Sequence, residues 1–257
     1  MIPTTKRLTL PGGLTIFHTN VAEARSIHDE IFHQNCYAHS CIDLQPGATI
    51  IDVGANVGLA TLYFHRRFPD AQFVCVEPIP SVVDLLQANL KYHKINATVL
   101  TAAASDSRGT AIITYYPKIT AISGMHADPD EDRQPTLQYL RHEGMRDADI
   151  EFLTRDLFDS TTLECRTLTV SDMIRDHGLD TVELLKIDAQ KSEIQVLQGI
   201  DGQHWDRIQR VCAEVHDING RLLQATSMLQ ARGFRVEVEQ RAQLKHTVLH
   251  DLVAFRA

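Results

Sequence analysis

Asp52, Gly54, Asn56 and Gly58 fall within one short run, IIDVGANVG, and Glu77 follows 25 positions after Asp52. An apolar stretch, a glycine turn and a helix start place free backbone N–H groups where the anionic part of a ligand can sit. A pyrophosphate needs the tighter G-x-G-x-x-G turn and would meet like charge at Asp52. A zwitterionic amino-acid head fits better, its carboxylate on the helix start and its ammonium near Asp52, directly or through water. S-adenosylmethionine carries such a head. Glu77, before the stiff Pro78, ends a second apolar run, where a carboxylate accepts hydrogen bonds from both ribose hydroxyls of an adenosine ligand.

Moving a methyl group from that ligand to an acceptor is an in-line displacement, so the acceptor must be aligned and, where it is a hydroxyl, relieved of a proton. Asp188 ends LLKID, and Glu214 and His216 end RVCAEVH, where a spacing of two puts both on one face. His216 is the expected base, because histidine titrates near physiological pH, with Glu214 or Asp188 to orient it. His126 is the rival base, and Lys191 is a candidate to hold a carbonyl or phosphopantetheine oxygen. Asp188, Glu214 and His216 also form a possible oxygen-rich site for a divalent cation, but nothing in the spacing fixes their separation, and no metal is expected.

His33, Cys36, His39 and Cys41 supply four N/S ligands without the spacing of a known zinc knuckle, so a helix end and connector is the expected reading. Tyr115, Tyr116 and Met125 are expected in a pocket lining or core, and DPDEDRQP in a solvated loop.

The elements that position these residues alternate. ATIIDVG, a helix over Leu59 to Arg67, QFVCVEP, a helix over Ser81 to His93 and ATVLTAA read as βαβαβ, hence a parallel sheet with right-handed crossovers. TAIITYYP and TTLECRTLTV then read as a strand pair flanking a polar excursion from Lys118 to Ser160, of the length of a lid. The alternation resumes through SDMIRDHG, VELLKID, SEIQVLQG, RIQRVCAEVH and a helix from Arg221 to Arg232, and FRVEVEQ and TVLHDLVAFRA close as an antiparallel hairpin. KRLTL-PGG-LTIFH reads as an N-terminal hairpin, and Glu23 to Phe32 has helical spacing.

IIDVGANVGLATLYF with VEPIPS, AAASDSRGT, LLKIDAQKSEIQVLQGI and CAEVHD resembles the FkbM-type methyltransferases, a class I S-adenosylmethionine-dependent family, from about Leu8 onward. LPGGL, YYP, KSE and EVHD followed by GRL are most similar to such domains in or beside polyketide and nonribosomal-peptide assembly lines. The resemblance implies an α/β, Rossmann-like class I methyltransferase fold: a seven-stranded, mostly parallel sheet with helices on both faces. Residues 1–257 then form a single domain, with a hairpin and helix cap over 1–47, a sheet core over 48–257 and a lid over 118–160. It implies O-methylation, with S-adenosylhomocysteine as product. By position it places the methionine part of the cofactor at Asp52, Gly54, Ala55, Asn56 and Gly58, the ribose at Glu77 and Pro78, and the adenine near Ala104, Ser105 and Asp106. Asp188 closes the pocket. Ala189 and Gln190 depart from the small apolar residue and acid usual there.

Composition narrows the setting. In 257 residues, 44% hydrophobic content supports one substantial core, and five cysteines without a C-x-x-C pair point to a reducing compartment. A net charge of -8 disfavours nucleic acid, and no run approaches the roughly 18 apolar residues of a membrane span. A cytoplasmic protein is expected, acting on a small-molecule or carrier-protein-bound hydroxyl substrate from natural-product biosynthesis. The alternatives are an NAD-dependent oxidoreductase and a catalytically silent docking module.

Overall fold

The computed structural model describes residues 7–40, 44–142, 144–245 and 247–256. A hairpin of β1 (Arg7–Thr9) and β2 (Thr15–Phe17) turns at Pro11–Gly13. The helix α1 (Val21–His28) begins where the Asn20 side chain accepts from the N–H groups of Ala22 and Glu23, and it runs into a π-helical turn at Asp29–His33. This start lies ahead of the expected Glu23 because the capping side chain sets it. Residues 1–6 and 41–43 of the expected cap lie outside the described residues.

The expected βαβαβ unit follows as β3 (Thr49–Val53), α2 (Leu59–Arg67), β4 (Gln72–Glu77), α3 (Pro80–Tyr92) and β5 (Ala97–Thr101). Beyond Thr101 the expected single strand splits: β6 (Ala103–Ala104) leaves the main sheet to pair with β8 (Thr161–Leu168), which pairs antiparallel with β7 (Gly109–Tyr115). Between β7 and β8 lie α4 (Pro129–His142) and α5 (Asp147–Thr154). The run DPDEDRQP is therefore a helix start and not a loop. Asp128 Oδ1 accepts from the N–H groups of Asp130 and Glu131, proline occupies the first turn, and the acids that follow face the positive end of the helix dipole.

The chain then passes through α6 (Val170–Asp176), β9 (Leu184–Ile187), α7 (Glu193–Gln198), β10 (Arg210–His216), α8 (Arg221–Ala231), β11 (Phe234–Glu239) and β12 (Leu249–Arg256). The seven-stranded sheet has the order β11-β12-β10-β9-β3-β4-β5, with β12 antiparallel to both neighbours and the other pairings parallel.

Strand periodicity decides which side chains meet. Ile50, Leu184 and Cys212 pack into a core with α2, α3 and the N-terminal elements. Ile51, Val53, Leu185, Ile187 and Val215 pack into a second core with α6, α7 and α8 on the opposite face. Registers align Cys75, Asp52, Lys186 and Cys212 in one row across four adjacent strands on the first face. Two residues further toward the carboxyl ends the same strands present Glu77, Gly54, Asp188 and Glu214.

Gly54 shows how tightly that row is built. It has a φ of +71°, and a Cβ there would lie 1.8 Å from the carbonyl oxygen of Asp188, whereas Gly47, at φ +79°, has nothing within 4 Å of its Cβ position. Gly47→Ala is expected to cost about 1 kcal/mol through backbone strain alone. Gly54→Ala is expected to cost about 3 kcal/mol or more, because the β3 and β9 ends must separate. Denaturant midpoints of the two variants give the comparison.

Candidate active site

A buried ion pair underlies the glycine turn. Asp52 and Lys186, cross-strand neighbours, are 0% and 2% exposed, with Asp52 Oδ1 3.0 Å from Lys186 Nζ. Thr61 of α2 donates to Asp52 Oδ2 at 2.6 Å, and Lys186 Nζ donates to the carbonyls of Val53 (3.2 Å) and Gly54 (2.9 Å). Burial alone would push the lysine down, but Asp52 and then Asp188 outweigh it and hold the ammonium above its ordinary value. This corrects the expectation that Asp52 meets a ligand ammonium: its charge is spent on Lys186 and it does not line the cavity above. The sequence signal for Lys186 was a lone cation inside an apolar strand.

That cavity, of about 720 Å³, opens at the carboxyl ends of the strands. Gly54, Ala55 and Asn56 line it, but Gly58 does not; its φ of +93° serves the entry into α2, with Leu86 packed close. Glu77 and Pro78 line it too. The Glu77 carboxylate accepts from the N–H of Ile79 (3.0 Å) and of Asn56 (3.1 Å), fastening the β4 exit to the glycine turn. Burial, only partly offset by those bonds, pushes Glu77 up to about 7. Beyond it the wall is Ala102, Ala103 and Ala104. Ser105 and Asp106 lie off the cavity: the Ser105 N–H joins the Leu168 carbonyl, and Asp106 is exposed. The cause is the switch of β6 into the second sheet.

Asp188, Glu214 and His216 all line the cavity, but the partner that orients His216 is Glu193. Glu193 is 0% exposed, and its Oε1 lies 3.1 Å from His216 Nδ1 and accepts the Lys191 N–H at 2.9 Å. A carboxylate only accepts, so neutral His216 carries its proton on Nδ1 and presents the Nε2 lone pair. Among the described residues Nε2 has no hydrogen-bond partner. Gln190 and Lys191 hold φ of +44° and +70°, a left-handed pair that turns the chain into α7 and delivers Glu193. Asp188 accepts from Gln190 Nε2 at 3.0 Å and lies 3.8 Å from Lys186. Glu214 accepts instead from Arg241 Nη2 at 3.2 Å.

The segment between β7 and β8 closes over this floor. Lys191 Nζ donates to Asp132 Oδ1 (2.6 Å) and so is already committed, while Asp132 Oδ2 accepts from the buried Tyr116 hydroxyl (2.9 Å). On the other side Glu23 of α1 accepts the Ala121 N–H at 2.7 Å, and Thr120 Oγ1 lies 3.2 Å from Asn56 Oδ1. Met125 lines the cavity. His126 does not; its Nε2 lies 2.9 Å from Gln195 Nε2, and burial lowers its pKa.

Among the described residues no three His, Cys, Asp or Glu side chains gather around a metal position, the Asp188, Glu214 and His216 trio included. His33 and His39 turn to Asp29 (3.2 Å) and Glu237 (2.7 Å), and Cys41 lies outside the described residues. No helix among them is long and apolar enough to cross a membrane.

A family model described as the methyltransferase FkbM domain matches residues 52–236. The chain is 35% identical over 250 residues to the 31-O-demethyl-FK506 methyltransferase FkbM of Streptomyces tacrolimicus, covering 97% of this chain and 96% of that protein. It is 31% identical to part of the AMB antimetabolite synthetase AmbE of Pseudomonas aeruginosa, covering 96% of this chain and 12% of that protein. Identity to the methyltransferase sdnD of Sordaria araneosa is 30%, over 87% and 86% of the two chains. Among solved structures, the FkbM methyltransferase of Methylobacillus flagellatus superposes with a TM-score of 0.55 at 14% identity, over 88% of this chain and 50% of that one. At that identity the likeness carries the fold alone.

The raised Glu77 gives a testable pH dependence. A carboxyl lifted on folding contributes stability that is full below its ordinary 4.5 and lost as pH rises through about 7. The ligand-free protein is thus expected to lose on the order of 3 kcal/mol over that window. Glu77→Gln has no proton to lose, so its Tm is expected to fall less between about pH 5 and pH 8 than that of the unaltered protein. Calorimetry at the two pH values reads the difference.

Proposed function

We propose a function from one premise: the chain belongs to the FkbM methyltransferase family. It is a methyltransferase, and the site supports methyl transfer from S-adenosylmethionine to a hydroxyl group of a natural-product intermediate, free or tethered to a carrier protein. When bound, the cofactor supplies the electrophilic methyl carbon. The observation that carries the reading is His216: an imidazole whose Nδ1 is committed to a buried carboxylate turns its lone pair into the same cavity that Glu77 and the glycine turn line.

The lining fits that cofactor. Gly54, Ala55 and Asn56 offer close backbone approach, which a Cβ at Gly54 would block, and their turn leads into the α2 start. Glu77 keeps free lone pairs beside its two N–H bonds, enough to accept from ribose hydroxyls. Ala102, Ala103 and Ala104 give a flat apolar wall for an adenine. Asp52 acts from below, through Lys186.

For the transfer, His216 Nε2 is placed to take the proton of the acceptor hydroxyl, and Glu193 to balance the resulting imidazolium. Asp188 and Glu214 stand beside the reaction centre rather than as partners of the base. The segment from Lys118 to Ser160, latched by Lys191–Asp132 and Glu23–Ala121, serves as the lid that keeps water out.

The test is intact-mass and chromatographic screening of free and carrier-bound hydroxyl compounds with S-adenosylmethionine. A gain of one methyl on oxygen, with S-adenosylhomocysteine formed in equal amount, supports the reading; gain on nitrogen or carbon, or none across the panel, contradicts it. His216→Ala is expected to leave S-adenosylhomocysteine affinity unchanged while lowering turnover about 10²- to 10⁴-fold. An unaltered rate removes His216 from the role.

A further inference from the structure

Three steps along the sheet from Glu77, beside the reaction centre, one guanidinium is surrounded by acids. Arg241 Nη1 donates to Glu30 Oε1 at 2.7 Å, Nη2 to Glu214 Oε2 at 3.2 Å, and Nε and Nη2 to Asp251 at 2.5 and 3.1 Å. These residues come from the π-helical turn, the end of β10, the β11–β12 connection and β12. Glu30, Glu214 and Arg241 line the cavity, and Asp251 fixes the guanidinium without lining it.

Among the described residues the charges here do not balance: one cation faces three carboxylates, with Asp188 near enough to act on Glu214 as well. The two lysines that line the cavity are committed, Lys186 to Asp52 and Lys191 to Asp132. Among the described residues no hydrogen bond reaches Glu30 Oε2 or Glu214 Oε1. Burial raises the pKa of both acids, against the pull of Arg241. An anionic group entering here would find Arg241 already satisfied and two acids repelling it. His216, 8% exposed with its Nε2 unpartnered, points into the same space from two residues beyond Glu214.

We propose that the acceptor carries a protonated amine as well as its methylatable hydroxyl, the ammonium bridging Glu30 and Glu214 while the hydroxyl meets His216 Nε2. Two residues along a strand set the Glu214 and His216 backbones about 7 Å apart, the same scale as the roughly 6 Å between nitrogen and oxygen in an extended four-carbon amino alcohol. The inference rests on the O-methyl reading and narrows it: the substrate class is an amino alcohol, and the Glu30–Arg241–Glu214 group is its specificity site.

The experiment uses three probes of equal length and different charge, 4-amino-1-butanol, 1,4-butanediol and 4-hydroxybutanoate, titrated by calorimetry into protein saturated with S-adenosylhomocysteine. The amino alcohol is expected to bind at least about tenfold more tightly than the diol, the hydroxy acid least, since a part-buried charge pair is worth roughly that factor. Glu30→Gln and Glu214→Gln are each expected to erase the preference; having both variants covers the failure of either to fold. Equal binding of amino alcohol and diol overturns the amine in favour of neutral donors. A flat ranking, no binding by any probe, or a preference that survives both variants overturns the site. Variants that weaken S-adenosylmethionine but not S-adenosylhomocysteine assign the acids to the cofactor's sulfonium and also overturn the proposal. Failure to bind S-adenosylhomocysteine at all rejects the broader reading, and this one with it; a flat ranking in protein that does bind it rejects this one alone.

Discussion

The pairing of Asp52 with Lys186 is the constraint from which the rest of the site follows. Both are sealed within the sheet, where an isolated charge is costly, and removing one partner of such a pair leaves the other uncompensated at about 3–5 kcal/mol. The ammonium also takes the carbonyls of Val53, which already accepts the Asp188 N–H, and of Gly54, where the strand ends. The glycine turn is thereby held in one conformation, and its N–H groups from Gly54 to Gly58 are all bonded within the protein, not left free as the sequence suggested.

The same row logic explains how charge is distributed above the pair. Side chains two residues on from Asp52, Lys186, Cys75 and Cys212 must emerge on the same face, so Glu77, Asp188 and Glu214 crowd the carboxyl end of the sheet. Each is handled differently. Glu77 is tied by two backbone N–H groups and sits where burial lifts it to about 7. Glu214 is tied by Arg241, and Asp188 by Gln190 and the distant edge of Lys186. Among the described residues His216 faces the cavity with an unpartnered ring nitrogen, because its other nitrogen is claimed by Glu193 at the start of α7.

The sheet was legible in the sequence because its signal is local: apolar runs of strand length, separated by helices with polar faces, give β3 through β5 and β9 through β12 nearly residue by residue. The cavity-lining positions at Gly54, Glu77, Asp188, Glu214 and His216 were legible for a related reason, since strand ends are where such sheets place ligands. Three features were hidden. The task of Asp52 depends on Lys186, 134 positions later, and only the strand register brings them together. Glu193 sits in KSE, a helix start that reads as ordinary capping until the left-handed pair Gln190 and Lys191 turns it toward His216. Arg241 lies in a short connection whose partners are supplied by segments at both ends of the chain. DPDEDRQP was misread for its polarity, although Asp-Pro followed by acids is a helix start with a stated mechanism.

The most direct measurement is the affinity for S-adenosylhomocysteine, by calorimetry, of a charge-neutral double variant, Asp52→Asn with Lys186→Met, beside the unaltered protein. Removing both charges together spares the fold an unpaired ion. The account predicts a folded protein whose affinity falls by about tenfold or more, because the turn has lost the ammonium that fixes its carbonyls. A folded double variant that binds with undiminished affinity would show that the buried pair does not organise the site, and would contradict the account.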